Sequence, residues 1–518
     1  MDIIKHMHDK EFYDEKPSKV DYKQTHISHV FLTDNFVYKI KKPVDFGFLD
    51  YSTLEKRKFY CEEEVRLNKR LSPDIYNGVV AITNKGIAKE GEAIEYAVKM
   101  KRLPEKNIMK ELLKEYKVSY KSIKEMASLL VKFHKEAEKN QEIKSYATAE
   151  AMKKNTDENF QQTKDMDIFD KKKYDFIKKS TNDFYNKKEI FQNRIKENKI
   201  AECHGDLHSG NIFITDEVKI FDCIEFNKSF RYSDVANDVA FLAMDLEKQK
   251  QVPLSKYLIN KYVDISEDYT LYTVLDFYKC YRAFVRAKVS AFMLSDAQGK
   301  EKEILENDCR EYLDIAYNYA KIFSHQKPAV FISCGYSATG KSRWLKIASD
   351  IINSPVIRTD VLRKEIFNLK ANEKKDDEYR KKYYSEDARQ KVYDAMFQES
   401  ERILSMGGKV SLDASFIKKE NRKKIKQLAE KYDADFIIIN TTASEETIKK
   451  RLVGRQNEKG NVSDADFENA YQFQKKSFQE PSEGEGKVIK IDTEEGEYHN
   501  IKKLRKEIKG ALGFNEIN

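Results

Sequence analysis

Apolar and polar positions alternate along His29–Lys41 (HVFLTDNFVYKIK) on either side of Asp34-Asn35, a pattern that predicts two strands joined by a tight turn. Leu54–Leu71 changes to near-helical spacing, with Phe59, Val65, Leu67 and Leu71 as its apolar positions, and strand-like runs return at Val79–Thr83 and Glu95–Met100. A small sheet with one inserted helix follows. From Glu105 to about Lys199 the pattern is helical and rich in Lys and Glu; Met126, Leu129, Leu130 and Phe133 share one face of Ile123–Glu138. Ile200–Phe226 reverts to short β-rich runs broken by His, Gly and Asp, and Asp234–Ile322 returns to amphipathic helices. Catalytic loops belong at such changes of period.

The helical pattern stops at Phe323-Ser-His-Gln-Lys-Pro328, and an apolar run, Ala329–Ser333, begins at once. A domain boundary is expected there, giving residues 1–325 and 326–518. Beyond it, strand-like runs (Val410–Leu412, Phe436–Asn440, Val488–Ile491) alternate with helical ones (Lys341–Ile352, Ala388–Met406, Lys418–Lys431, Glu445–Val453), the signature of an α/β domain with a parallel sheet. A length of 518 residues is too long for one core and suits two or three folding units.

Composition narrows the class. Hydrophobic residues make up 40% of the chain and charged residues 35%, with only 18 Gly and 8 Pro, which excludes a disordered or low-complexity chain. No apolar run approaches the roughly 18 residues of a membrane span, and the amino-terminal MDIIKHMHDKEFYDEK lacks a secretory pattern, so a cytoplasmic location is expected. The six cysteines are scattered without a CxxC pair, which argues for reduced, buried thiols rather than disulfides or zinc. Six of the eight net positive charges fall in residues 326–518, yet the surface as a whole is nearly balanced. Nucleic acid is therefore a less favoured partner than a small molecule.

Gly335-Tyr-Ser-Ala-Thr-Gly340-Lys341-Ser342 satisfies G-x-x-x-x-G-K-[ST] between an apolar strand and a helical pattern. Gly335 and Gly340 let backbone N–H groups face a phosphate, Lys341 bridges β- and γ-phosphates, and the Ser342 hydroxyl is a Mg²⁺ ligand. Downstream, VIRTDVLR ends a strand at Asp360 and places Arg363 one helical turn on, so that Asp360 can deprotonate a hydroxyl while Arg363 holds an anionic group. The bland alternative is a helix N-cap with a surface arginine as its partner. Asp413 ends the Val410–Leu412 strand, where a metal-associated acid belongs, and Arg451 and Arg455 lie four apart on a helix, spaced to close over phosphates. In this order GYSATGKS, IRTDVLR, LDASF and RLVGR resemble the AAA-type P-loop kinases that include polynucleotide kinases and zeta-toxin-like kinases, over about residues 328–480. The resemblance implies Asp360 as base, Arg363 as acceptor ligand and Arg451 and Arg455 as lid arginines.

In the first half, His204-Gly-Asp206-Leu-His208-Ser-Gly-Asn211 precedes Val218-Lys-Ile-Phe-Asp222-Cys-Ile-Glu225. Asp206 is spaced as the base of a phosphotransfer loop, Asn211 and Asp222 as its metal donors, and His204 as a loop brace. A His204/Asp206/His208 metal site is the rival reading. The stretch resembles aminoglycoside phosphotransferase-type kinases over most of residues 25–320. That resemblance implies an α+β, protein-kinase-like bilobal domain, with Lys39 on FVYKIK steadying the nucleotide phosphates, Glu64 as its ion-pair partner and Met100 at the adenine hinge. Lys41 shares the strand face of Lys39 and competes for that role. Asp234 and Asp238 resemble the acids that brace the family's loop, while Arg282 and Arg286, four apart on one helix face, read as a salt-bridge stripe in preference to substrate contacts. No glycine-rich loop separates the first strands.

The chain is thus expected to be two fused ATP- and Mg²⁺-dependent kinases, each phosphorylating a hydroxyl of a small molecule or nucleotide. The alternatives are one catalytic P-loop kinase with a nucleotide-sensing module, and a nucleic-acid end kinase or toxin-like kinase.

Overall fold

The computed structural model describes residues 3–47, 49–88, 92–369, 379, 382–456 and 471–512. The chain divides into two compact units, Met1–Glu267 with Leu275–Ser324, and Asp268–Val274 with His325–Asn518.

The first unit opens on an antiparallel sheet: β1 (Asp21–Gln24), β2 (Ser28–Leu32), β3 (Phe36–Lys41), β4 (Tyr76–Thr83), β5 (Gly86–Ala88) and β6 (Glu95–Lys101), in the order β1-β2-β3-β6-β4-β5. The β2–β3 hairpin forms where the alternation predicts it, Leu32 opposite Val37 and Thr33 closing the turn on Phe36. Met7, Phe12, Tyr13, Phe31, Tyr38, Ile40, Ile82 and Ala97 form the core on one side of the sheet. Helix Leu54–Asn68, capped by Thr53, is inserted between β3 and β4. Its buried positions are Arg57, Cys61, Glu64, Leu67 and Asn68, whereas Phe59 is 54% exposed. The apolar count misassigned this face because its buried side chains are largely polar and spent on ion pairs.

Helices follow from Tyr120–Glu136 to Lys188–Lys196, most with Ser, Thr, Asn or Asp caps. Short strands then frame the loop motifs: β7 (Ile200–Glu202), β8 (Ile212–Ile214), β9 (Val218–Ile220) and β10 (Tyr232–Asp234), with β7 paired to β10 and β8 to β9. Helix Val235–Lys248 is buried along nearly its whole length, and the unit ends on the long helix Leu271–Met293, which belongs to it from Leu275 on, and on Gly299–Ser324. A strand-rich lobe with one inserted helix, followed by a helical lobe carrying the catalytic-type loop, is a protein-kinase-like fold.

The second unit carries a five-stranded parallel sheet: β11 (Ala329–Cys334), β12 (Val356–Arg358), β13 (Lys409–Asp413), β14 (Asp435–Thr442) and β15 (Lys487–Asp492), in the order β12-β13-β11-β14-β15. Central strands β11 and β14 are buried through runs such as Val330–Cys334 and Ile437–Thr441, as expected for a sheet covered on both faces. One face packs on Met396, Ile403, Ile425 and Ala429, the other on Trp344, Leu345, Leu504 and Ile508. Because β11 lies between β13 and β14, the loop leaving its carboxyl end opens at a point where strand order reverses, a place for a ligand. All six cysteines are free and buried.

Candidate functional site

In the first unit, the sheet and the inserted helix bring three charged side chains together. Lys39 Nζ on β3 lies 3.0 Å from Glu64 Oε1 and 2.6 Å from Asp222 Oδ1, although Asp222 is 183 residues away. Two residues on, Lys41 Nζ lies 2.8 Å from Glu64 Oε2 and also contacts Glu225 and Tyr51. Both lysines thus reach Glu64, but only Lys39 touches Asp222. The surroundings differ as well: Lys41 is 1% exposed and Lys39 14%. Burial opposes the charge on Glu64, and the two lysines outweigh it, drawing its carboxyl down to about 2. Met100, near the end of β6, pairs with Val37 and Tyr76 and packs partly into the Cys61/Ile75/Val98 core.

The loop after β7 is held from behind by a buried helix. Backbone N–H groups of His204 and Gly205 donate to the Asp238 carboxylate at 2.7 and 3.0 Å, and that of Ser209 to Asp245 at 2.9 Å. His204 Nδ1 accepts from the Asp206 N–H and its Nε2 meets the Phe221 carbonyl, so the ring is a neutral brace; burial lowers its pKa. Gly205 has φ +85°, and a Cβ there would stand 2.9 Å from the Phe230 carbonyl. Asn211 Nδ2 donates to both the Asp206 carbonyl and Oδ2, leaving its own amide oxygen for another ligand. Burial opposes ionisation of Asp206, yet His208, 3.4 Å away, and then Arg286 outweigh it and hold the carboxyl well below the ordinary range.

Asp222 follows β9 with φ +64°, a left-handed backbone unusual for aspartate, and its N–H donates to the Tyr76 hydroxyl. Asn211, Asp206 and Asp222 therefore present hard oxygen donors beside a lysine, a set that fits Mg²⁺ on a nucleotide. His204, Asp206 and His208 form no metal-type grouping. The one cluster of three potential ligand atoms among the described residues is His134, Cys203 and Asp238, all buried and already hydrogen-bonded within the core. His134 is bound to Tyr262 and Asp238.

One brace differs from its sequence assignment and another had none. Asp234 does not hold the loop; it caps Val235–Lys248 and pairs with buried Arg194. Asp245 does hold it, and was overlooked although it lies two turns beyond Asp238 on the same helix. The expected arginine stripe is absent: Arg282 donates to Asn237 and lies 4.8 Å over Phe241, and Arg286 lies 5.8 Å over the Tyr312 ring.

In the second unit, residues 335–342 form the turn between β11 and helix Lys341–Ile352. Gly335 (φ +135°) and Gly340 (φ +94°) adopt backbones closed to other residues, and a Cβ on Gly335 would stand 2.4 Å from the Thr441 carbonyl. Thr339 and Thr441 hydroxyls bind each other at 2.7 Å beneath the loop. Lys341 Nζ is hydrogen-bonded at 2.6 Å to the Tyr336 carbonyl, folded back over the loop. Ser342 stands in the first turn, its side chain outside the core. Asp413 ends β13, 8% exposed, with Ser333 Oγ at 3.4 Å and Arg358 Nε at 3.5 Å.

Asp360 lies in the first turn of helix Thr359–Ile366, whose N-cap is Arg358, so the N-cap reading of Asp360 is overturned. Arg363 is equally unlike a surface partner. It is 7% exposed, stacks 4.1 Å over Tyr384, touches Asp360 only at 3.4 Å, and its buried Nε has no hydrogen-bond partner. Arg451 binds the Ala338 carbonyl at 3.2 Å and Thr493, which ties its helix to the P-loop. The Arg455 side chain lies outside the described residues. Sequence reasoning missed Gln474, whose amide pairs with both the N–H and the hydroxyl of Ser337.

The fold and these loops define a chain with a kinase-like unit followed by a P-loop nucleotide-binding unit. Residues 330–481 match the family model AAA_33, described as an AAA domain. An uncharacterized protein of Mycobacterium tuberculosis is 28% identical over 458 residues, 87% of this chain and 88% of its own length. Among solved structures, an ADP-bound aminoglycoside phosphotransferase is similar with 13% identity and a TM-score of 0.34, over 59% of this chain and 95% of its own. A gluconokinase from Sinorhizobium meliloti is similar with 16% identity and a TM-score of 0.27, over 36% and 95% respectively. Among the described residues, no helix is long and apolar enough to cross a membrane.

Proposed function

We propose that the chain is a bifunctional ATP-dependent phosphotransferase, with residues 1–325 and 326–518 each transferring the γ-phosphate of ATP to a hydroxyl of a small molecule or nucleotide. The observation that carries the reading for the first half is the convergence of Lys39, Glu64 and Asp222 on one point beside a braced Asp206. Lys39 is the cation that meets the nucleotide phosphates, Glu64 fixes its position, and Met100 borders the base. Asp206 accepts the proton of the acceptor hydroxyl. That oxygen forms the new bond to the γ-phosphorus, the bond to the β,γ-bridging oxygen breaks, and ADP leaves with the electron pair. A Mg²⁺ ion held by Asn211 and Asp222 would neutralise phosphate charge.

In the second half, the P-loop amides and Lys341 hold the nucleotide, Ser342 and Asp413 are oxygen donors suited to Mg²⁺, Asp360 takes the acceptor proton and Arg363 grips an anionic group on the acceptor. The unpartnered, buried Nε of Arg363 supports this last role, since such a donor costs free energy until a ligand satisfies it. Arg451 and Arg455 belong to the lid side of the phosphates.

A second reading, in which the first half only senses nucleotide, is favoured by the short β1–β2 connection, Thr25-His26-Ile27, which offers no glycine to cradle phosphate. The deciding experiment is a metabolite and oligonucleotide screen with γ-labelled ATP, comparing the intact chain with Asp206→Asn and Lys341→Ala. Two products, one lost in each variant, support two kinases. If only Lys341→Ala loses product, the first half is a sensor. Phosphorylation confined to oligonucleotide ends, with binding that weakens steeply in salt, marks an end kinase.

A further inference from the structure

We propose that His134 is a positioning residue of the first unit's phosphotransfer loop: it fixes the Asp238 carboxylate that holds the loop backbone, and Tyr262 sets its tautomer. The inference rests on the phosphotransferase reading of Asp206 and adds two residues that act on that base from behind, through Asp238.

Helix Val252–Ser266 packs against both Tyr120–Glu136 and Val235–Lys248. Each of the three sends one polar side chain to the same buried point, respectively Tyr262, His134 and Asp238. The Tyr262 hydroxyl lies 2.8 Å from His134 Nδ1, and His134 Nε2 lies 3.2 Å from Asp238 Oδ2. The same Oδ2 accepts the His204 N–H at 2.7 Å, and Oδ1 accepts the Gly205 N–H at 3.0 Å. His204 Nδ1 in turn accepts the Asp206 N–H at 3.2 Å. A line of hydrogen bonds therefore runs from Tyr262 to the backbone of the base.

Donor chemistry fixes the direction of that line. An Asp238 carboxylate only accepts, so His134 Nε2 must carry the hydrogen; in the neutral ring Nδ1 is then an acceptor, and the Tyr262 hydroxyl is the donor that satisfies it. The other tautomer would set a lone pair against the carboxylate. The third donor reaches Asp238 from a different helix than its own, so the carboxylate is tied to two elements before it meets the loop. The turn it holds has little slack: Gly205 has φ +85°, and a Cβ there would stand 2.9 Å from the Phe230 carbonyl. A carboxylate that shifts carries the loop with it, and a displacement of about 1 Å at a reacting group costs on the order of a hundredfold in rate.

The test reads hydrolysis of γ-labelled Mg·ATP, with water as the acceptor, by the full chain carrying Lys341→Ala to silence the second unit, together with backbone hydrogen exchange over residues 200–211. His134→Gln carries its amide to the position of Nε2 and keeps a donor to Asp238, whereas the amide of His134→Asn reaches only the position of Nδ1. His134→Asn should lower kcat about ten- to a hundredfold with little change in the KM for ATP. Exchange should quicken over the loop and stay as it was over the β1–β6 sheet. His134→Gln should recover most of the rate. Tyr262→Phe, which removes the donor to Nδ1 and keeps the ring, should fall between the two, and it decides the matter where His134→Asn fails to fold. Equal losses in the Asn and Gln variants, a loss carried by the KM for ATP, or loop exchange unchanged in the folded variants would overturn the proposal. Asp206→Asn separates the two readings. Hydrolysis that it leaves intact defeats the phosphotransferase reading and the role of His134 with it, whereas Asp206-dependent hydrolysis indifferent to His134 and Tyr262 defeats the role alone.

Discussion

The Nζ of Lys39 lies 3.0 Å from Oε1 of Glu64, and the same ammonium reaches Asp222 from the other lobe of the first unit. Lys41 makes a parallel pair with Glu64 but ends on Glu225 and Tyr51 inside the protein. The two lysines can therefore be separated by experiment. Lys39→Met should weaken ATP binding by the first unit at least tenfold with little loss of fold. Lys41→Met leaves Glu225 buried without its cation and Glu64 with Lys39 alone, and should destabilise the unit by about 3–5 kcal/mol. Nucleotide titration and thermal melts of full chains carrying Lys341→Ala check both; the reverse pattern would exchange the two roles.

Asp206→Asn keeps shape and the Asn211 contact but removes the proton acceptor. Phosphoryl transfer by the first unit should fall by orders of magnitude while ATP binding persists. Its carboxyl is held below the usual range by His208 and Arg286 against the opposing effect of burial, so the base stays ionised throughout pH 5–8. No loss of rate attributable to Asp206 should appear in the pH–rate profile on acidification to pH 5; a limb there that tracks Asp206 would overturn its assignment as the base.

Stability should respond to acid through Asp238 and Glu64. Burial disfavours both carboxylates, yet hydrogen bonds from His134 and the His204 backbone bring Asp238 to about 2, and Lys39 and Lys41 bring Glu64 to about 2. A carboxylate with a depressed folded pKa stabilises the fold above its unfolded value of roughly 4 and loses that contribution as pH falls through the folded value. The melting temperature of the first unit should thus decline between about pH 4 and pH 2. In Asp238→Asn the decline should be shallower and the starting stability lower.

Gly335 offers a test of the P-loop backbone. Its φ of +135° and the 2.4 Å approach of an added Cβ to the Thr441 carbonyl leave no room for a methyl group. Gly335→Ala should cost the second unit about 1–3 kcal/mol from backbone strain alone and lower its nucleotide affinity. A variant with unchanged melting and binding would mean that the loop rests elsewhere.

Much of this was legible in the chain. GYSATGKS and HGDLHSGN carry their roles in local spacing, and the β2–β3 hairpin and the strands of the parallel sheet follow from period and turn chemistry. What escaped depends on long-range pairing. Glu64, Arg57 and Asn68 are buried on a helix whose apolar Phe59 is exposed, so hydropathy pointed to the wrong face. Asp245, Glu225 and Gln474 matter because of partners 36, 184 and 137 residues away. Arg286 looked like half of an i,i+4 stripe, and only the fold shows its guanidinium over the Tyr312 ring.

The mechanistic claim for the second unit is most exposed at Asp360 and Arg363. Asp360 is 37% exposed in the first turn of its helix, accessible to an acceptor, while Arg363 is sequestered over Tyr384 with an unsatisfied Nε. If Asp360 removes the acceptor proton, Asp360→Asn should lower kcat far more than it raises the KM for the acceptor, because the proton moves only in the transition state. Arg363→Ala should do the opposite, raising that KM about ten- to a hundredfold, the loss expected for a charged hydrogen bond. Arg363→Lys should recover little, since an ammonium neither stacks on Tyr384 nor presents a planar fork. Nucleotide binding should persist in all three, because Lys341 and the loop amides hold it independently. If the variants instead lose only thermal stability and keep their kinetic constants once folded, Arg363 is a core cation and the acceptor binds elsewhere.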